Sequence, residues 1–245
     1  MKKEMFDQML SLPQDFRSEL EKYIAESDGT FVWKMQNFTR FVPRQSMSRF
    51  LCRAELFKKI LNIHGSVIEM GVLGGFGLCS WAQLSAIYEP MNVNRKVIGF
   101  DTFSGFPSVS DNDTEIAVIG DMACDSYEEI LTFTKLFDKN RFFGSIEKIE
   151  LVKGDVMETI PAFLSENQHI VISLLYLDID LYLPTKVALS HFLPRMPKGS
   201  VIAFDELNVK EWKGESIALN EVIGFDKLRI ERFGFETNMA FAVIE

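Results

Sequence analysis

Basic residues are in deficit in this 245-residue chain, where 26 Lys and Arg against 35 Asp and Glu leave a formal charge of −9. Proteins that grip nucleic-acid phosphates through charge carry a basic footprint. A nucleic-acid partner is therefore excluded, while a local pocket for a small anion is not. Cysteine is scarce as well: Cys52, Cys79 and Cys124 are odd in number and irregular in spacing. They compose neither a disulfide framework nor a zinc signature, which points to a reducing compartment. No uncharged apolar run approaches the roughly 20 residues that a membrane helix needs. The opening stretch MKKEMFDQMLSLPQDF interrupts its apolar residues with charges, unlike a secretory leader. A cytoplasmic protein without a membrane partner is expected.

What is present is an ordinary globular composition, 47% hydrophobic and 25% charged, enough for one α/β domain with a helical appendage. Residues 1–60 show helical periodicity with breakers at Pro13, Gly29 and Pro43. Met47, Phe50, Leu51, Ala54, Phe57 and Ile60 define the apolar face of a helix over 44–61. From residue 66 short β-rich runs recur: SVIEMG, KVIGFD, KIELVKGD, VISLLYLDID and SVIAFDEL. Continuous apolar strands alternating with helices predict a parallel sheet covered on both faces. LRIERFGF and MAFAVIE add an antiparallel C-terminal hairpin. The expected architecture is a Rossmann-like, seven-stranded, mostly parallel sheet over 61–245, preceded by an N-terminal helical extension over 1–60. Its longest irregular stretch, 104–121, begins a lid insertion over about 104–145.

Ligands of open parallel sheets bind outside the carboxyl ends of the strands. Those ends here are Glu69, Asp101, Asp155, Asp178 with Asp180, and Asp205 with Glu206. Five acidic ends in succession suit a ligand rich in hydroxyl and amino donors, or a cation. The first strand runs into IEMGVLGGFG, where Glu69, Gly71, Gly75 and Gly77 fit E-x-G-x-x-x-G-x-G. Glycines there let backbone approach a ligand at a helix N-terminus, although a tight turn alone would also ask for them. Gly75-x-Gly77-x-x-Ser80 is a poor dinucleotide fingerprint. The preceding acid favours S-adenosylmethionine (SAM), whose cationic amino end it can meet. Asp101 can accept ribose hydroxyls. Asp155 can accept from adenine, and Asp155-x-x-Glu158 is equally a capping box.

Asp178, Asp205 and Glu206 end consecutive strands, and carboxylates that converge repel one another unless a cation or protons intervene. Oxygen donors without histidine or cysteine favour Mg²⁺ or Ca²⁺ over zinc. A plain helix-capping role competes with this reading, most directly at Asp180, which precedes LYLPTKVALSHF.

IEMGVLGG, FDTFSGFP, LDIDLY and FDEL together resemble the TylF/MycF-like (macrocin O-methyltransferase-like) family of Mg²⁺- and SAM-dependent sugar O-methyltransferases, over roughly residues 45–225. The resemblance implies a class I SAM-methyltransferase fold and methyl transfer to a sugar hydroxyl, whether nucleotide-linked, in a glycan or in a glycosylated metabolite. It places SAM on Glu69, Gly71, Gly75, Gly77, Asp101, Thr102, Asp155 and Val156. It places Mg²⁺ on Asp178, Asp205 and Glu206, with the 27-residue spacing from Asp178 to Asp205 matching the family's. Where the family usually has a second Asp this chain has Glu206. Macrolide-sugar members use a lid histidine as general base, yet the histidines here are only His64, His169 and His191. His191 reads as an ordinary helix residue. The base is then Asp180, an acid or Tyr127 from 121–129, or the metal alone, so Asp178 and Asp180 are the catalytic candidates. Trp212 is placed to stack on a sugar, and Lys210 or Lys213 to meet a phosphate, if they are not simply loop residues. Phe31, Trp33, Phe38 and Phe41 of the N-terminal helices suit an acceptor cover or a subunit interface, and a homo-oligomer, dimer or higher, is expected. The alternatives are a cephalosporin-hydroxylase-like protein with a different reaction, an NAD-dependent oxidoreductase, and a non-catalytic glycan- or partner-binding domain.

Overall fold

The computed structural model describes residues 13–236 and 238–245. The expectation about a leader falls largely on residues 1–12, outside the described residues. The chain divides into two compact units, Met1–Leu51 and Cys52–Glu245. In the first, helix α1 (Gln14–Glu26) starts behind Pro13, and the short α2 (Phe31–Gln36) is capped by Thr30, whose hydroxyl accepts from the Trp33 amide. Arg40 fastens this unit, donating twice to the Tyr23 hydroxyl while its guanidinium lies 5.5 Å from the Trp33 ring centroid. Phe31 and Phe38 remain exposed, whereas Phe41 is buried and stacks on Tyr23.

Helix α3 (Arg44–Ile60) follows Pro43, and its buried face matches the expected one only in part. Ala54, Phe57 and Ile60 are buried as expected, but Leu51 is half exposed, and Cys52, Arg53 and Leu56 are buried as well. An arginine therefore occupies a position that periodicity reserved for an apolar side chain.

The second unit carries a seven-stranded sheet ordered β3-β2-β1-β4-β5-β7-β6. In chain order come β1 (Ser66–Met70), α4 (Phe76–Tyr88), β2 (Val97–Asp101), α5 (Tyr127–Asp138), β3 (Ile149–Lys153) and α6 (Val156–Glu166). They are followed by β4 (Ile172–Leu177), α7 (Tyr182–Phe192), β5 (Val201–Phe204), α8 (Gly214–Val222), β6 (Glu231–Arg232) and β7 (Ala240–Val243). The first five strands pair in parallel and the last two antiparallel, as the sequence pattern predicts. Strands β1, β4 and β5 are buried along their whole length. That explains their unbroken apolar runs, because helices cover both faces. Ile68, Met70, Leu175, Leu177, Ile202 and Phe204 face α6, α7 and α8 in one core cluster. At about 1.5–3 kcal/mol for each large apolar side chain taken from water, this cluster fixes the register of the central strands. The chain winds outward through β1, β2 and β3, then returns to β4 on the other side of β1. The crevice at that reversal is where such sheets bind ligands.

Candidate functional site

Glu69 stands at this reversal, one residue from the end of β1, in register with Gly99 on β2 and Tyr176 on β4. It is 1% exposed, and its Oε2 has no hydrogen-bond partner. Burial pushes its carboxyl up to about 8, an effect that nearby Arg53 offsets and that Asp178, Asp205 and Asp101 reinforce. Gly77, in the first turn of α4, makes room for it, since a Cβ there would stand 1.7 Å from Glu69 Oε1. Gly71, at φ +87°, lets the β1 loop graze the Asp178 carbonyl, and Gly75 at φ +84° opens α4. Gly74 has open space beside it. A buried carboxylate oxygen without a partner, beside a glycine loop at a helix start, fits the ammonium end of SAM.

The other cofactor candidates are already engaged with the backbone. Asp101 Oδ2 accepts from the amides of Val72 and Leu73, and its Oδ1 from Phe103. Three bonds on a carboxylate with about four acceptor positions leave capacity for a ribose hydroxyl. The Thr102 hydroxyl closes its own turn onto the Gly105 carbonyl. Asp155 caps α6 by accepting from the Met157 amide, which supplies the aspartate half of the expected capping box. The Val156 side chain is buried in the core cluster, leaving only its backbone for a cofactor.

Across the crevice lie the acids that end β4 and β5. The amide of Asp178 donates to the Met70 carbonyl and that of Asp205 to the Leu177 carbonyl, which carries the ladder one step past each strand. Tyr176, fully buried, donates its hydroxyl to Asp205 Oδ1 at 2.5 Å. Arg53 lies over the Tyr176 ring, 4.6 Å from its centroid, with Trp81 and Phe76 also around it. Its Nη2 is 4.0 Å from Asp178 Oδ2. Stacking suits a planar guanidinium and keeps a buried cation beside the acids. Sequence reasoning missed Arg53. The available signal was an arginine in helical phase with Phe57 and Ile60.

Asp180 is buried in a left-handed conformation, φ +60°, and the Leu181 amide reaches back to the Ile179 carbonyl at 2.5 Å. Such tight three-residue turns are rare and strained. The N-cap position of α7 is Leu181, which makes no side-chain cap bond. The first residue of α7 donates to the segment 104–121, with the Tyr182 amide 2.6 Å from Asp113 Oδ1. Asp113 Oδ2 accepts from both the amide and the hydroxyl of Ser110. This buried aspartate pins residues 104–121 to the carboxyl end of the sheet. Phe106 of the same segment meets Trp212 edge to face at 6.2 Å, within a small cluster with Ala117 and Leu181. Trp212 is thereby engaged with the segment 104–121.

Tyr127 opens α5 packed on Phe103, with the Lys153 ammonium over its ring. It thus belongs to the β2–β3 end, separated by β1 from Asp178 and Asp205. His191 Nδ1 bonds the Val187 carbonyl one turn back, an ordinary helix contact.

Glu215, in the first turn of α8, was also missed. It is completely buried, its Oε2 is 3.5 Å from the Glu206 amide, and its Oε1 has no partner. Burial first, then Asp180, Asp178, Asp205 and Glu206, hold its carboxyl well above the usual carboxylate range. Among the described residues no group of three or more acidic, histidine or cysteine side chains already stands as a ready-made ion cage. The acids here are oxygen donors without histidine or cysteine, and one of them, Glu215, carries an orphaned buried oxygen, a donor chemistry suited to hard divalent cations.

The family described as macrocin-O-methyltransferase (TylF) matches residues 42–221. Calicheamicin methyltransferase CalS11 is 34% identical, with a TM-score of 0.89 over 95% of this chain and 93% of that one. The apo structure of CalS11, described as a TDP-rhamnose 3′-O-methyltransferase of calicheamicin biosynthesis, gives 33% identity and a TM-score of 0.82 over 95% of each chain. The O-methyltransferase NovP, at 19% identity and a TM-score of 0.59 over 80% of this chain and 79% of that one, shares the fold. No curated protein sequence matches the chain.

Proposed function

The chain belongs to the TylF macrocin-O-methyltransferase family and is a SAM-dependent O-methyltransferase, and we propose that its acceptor is a sugar hydroxyl and its second cofactor Mg²⁺. The observation that carries the donor side is Glu69, whose buried, unpartnered Oε2 faces a glycine loop at the reversal of strand order. The likeness to CalS11, named for TDP-rhamnose, supports a sugar acceptor and favours a nucleotide-linked one over a glycan or glycosylated metabolite.

In this reading Glu69 receives the ammonium of the methionine end, the 71–77 loop follows its backbone, and Asp101 gives its remaining acceptor position to the ribose. These contacts fix the methyl group in line with the acceptor oxygen, the orientation that a bimolecular displacement needs. Asp178, Asp205 and Glu206 would hold the cation. A bound Mg²⁺ supplies Lewis acidity, lowering the pKa of a ligated hydroxyl. Asp180, buried and held in its strained turn, accepts the hydroxyl proton as the oxygen–carbon bond forms. The carbon–sulfur bond breaks with its electron pair going to sulfur. The segment 104–121, fastened by Asp113, excludes water from the acceptor.

The test is methyl transfer from labelled SAM to nucleotide-linked and free 6-deoxyhexoses, with wild type and Asp205→Asn compared. The wild type should methylate at least one sugar class. D205N should lose turnover while its affinity for S-adenosylhomocysteine (SAH) stays near that of the wild type. Unchanged turnover in D205N would sink the metal assignment, and absent SAH binding in the wild type would sink the cofactor assignment.

A further inference from the structure

Among the carboxylates at the mouth of the sheet, Glu215 is the one whose burial the assignments above leave unexplained. It has no exposed surface, and one oxygen is spent on a long contact to the Glu206 amide while the other has no partner. Its surrounding charges, Asp180, Asp178, Asp205 and Glu206, are all acidic. A helix-start acid gains from the helix dipole at the surface just as well, so dipole stabilisation does not account for complete burial. Burying a carboxylate among carboxylates is costly unless a proton or a positive group meets it, and a proton alone would leave the second oxygen without a partner.

The chain enforces this placement. A Cβ at Gly214 would stand 2.5 Å from the Tyr182 amide nitrogen, 2.7 Å from the Asp180 carbonyl oxygen and 2.8 Å from Asp113 Oδ1. Only a residue without a side chain lets α8 begin against the Asp180 turn and the lid anchor together. The next residue, Glu215, is thereby delivered into the acid cluster.

The geometry points to Glu215 as a further carboxylate of a divalent-cation site, offering its unpartnered oxygen to the ion that Asp178, Asp205 and Glu206 hold. This rests on the cation reading above and extends it to a helix that no strand-end pattern reaches. Because Gly214 also abuts Asp113, cation loading and the seating of segment 104–121 share one junction.

The test is Mn²⁺ titration, followed by electron paramagnetic resonance, of wild type, Glu215→Gln and Asp205→Asn, each with SAH bound. Glutamine keeps an acceptor for the Glu206 amide and removes the charge. The expected result is a loss of Mn²⁺ affinity of about tenfold or more in E215Q, with SAH affinity unchanged and the apo melting temperature equal to or above wild type. Mn²⁺ affinity in E215Q equal to that of the wild type, while D205N loses it, would overturn the role of Glu215 and leave the cation site standing. A wild type that takes up no Mn²⁺ would overturn both. Should E215Q fail to fold, Glu215→Asp, which withdraws the carboxylate by one methylene, carries the same test: weakened Mn²⁺ affinity supports the assignment and an unchanged one overturns it.

Discussion

Proton linkage at Glu69 gives a quantitative test of how the methyl donor is held. Burial raises this carboxyl from an ordinary value of 4.5 to about 8, so in the ligand-free protein it keeps its proton through neutral pH. If Glu69 must be ionised to receive the ligand's ammonium, observed affinity scales with its ionised fraction. That fraction is about one half at pH 8 and about one hundredth at pH 6, so SAH affinity should fall about 50-fold between them, or roughly 2.3 kcal/mol at 1.36 kcal/mol per decade. The assay is calorimetry with SAH in buffers of different ionisation enthalpy, which also counts protons. Roughly one proton should be released per SAH bound at pH 6–7, and Glu69→Gln should abolish both the release and the slope. Flat affinity over pH 6–8 with no proton release would refute the reasoning.

The same shift sets the sign for stability. A carboxyl whose folded pKa lies above its unfolded value binds more protons when folded, so the apo protein loses stability as pH climbs from about 4.5 to about 8. E69Q, which has no charge to bury, should melt above the wild type at pH 8.5 when both are apo, yet gain less from SAH. A structural role confined to packing would lower both melting temperatures instead.

Two further outcomes follow from the same neighbourhood. Cys79, pushed up to about 12 by burial and by Glu69, should react with iodoacetamide at pH 8 about a thousandfold more slowly than an ordinary thiol of pKa near 8.5; ordinary labelling under native conditions would mean that the start of α4 opens. Asp113→Ala removes the acceptor for the Tyr182 amide and for Ser110. It should cost about 1 kcal/mol, the size of a lost helix cap, and raise the acceptor KM while SAH affinity holds; an unaltered KM would separate this segment from the acceptor site.

The sheet and its acidic rim were legible because both follow from local periodicity. A parallel strand buried on two faces must be an unbroken apolar run, and the residue where the run stops marks the ligand edge, which is how Glu69, Asp101, Asp178 and Asp205 could be read in order. The groups that make those acids tolerable were not legible in the same way. Arg53 sits in an α3 whose buried face keeps Ala54, Phe57 and Ile60 but not Leu51, and only its phase with Phe57 and Ile60 hinted at burial. Asp113 accepts from the first amide of α7, and the left-handed turn at Asp180 lies just before that helix, so a bond between residues 69 apart in the chain fixes the helix start. Glu215 reads locally as a solvated acid at a helix start, and only the close approach at Gly214 turns it inward. Strand ends thus supply the acids, while partners and constraints arrive from helices and loops distant in sequence. Chemistry placed by period can be read from one segment, and chemistry placed by close approach needs the fold.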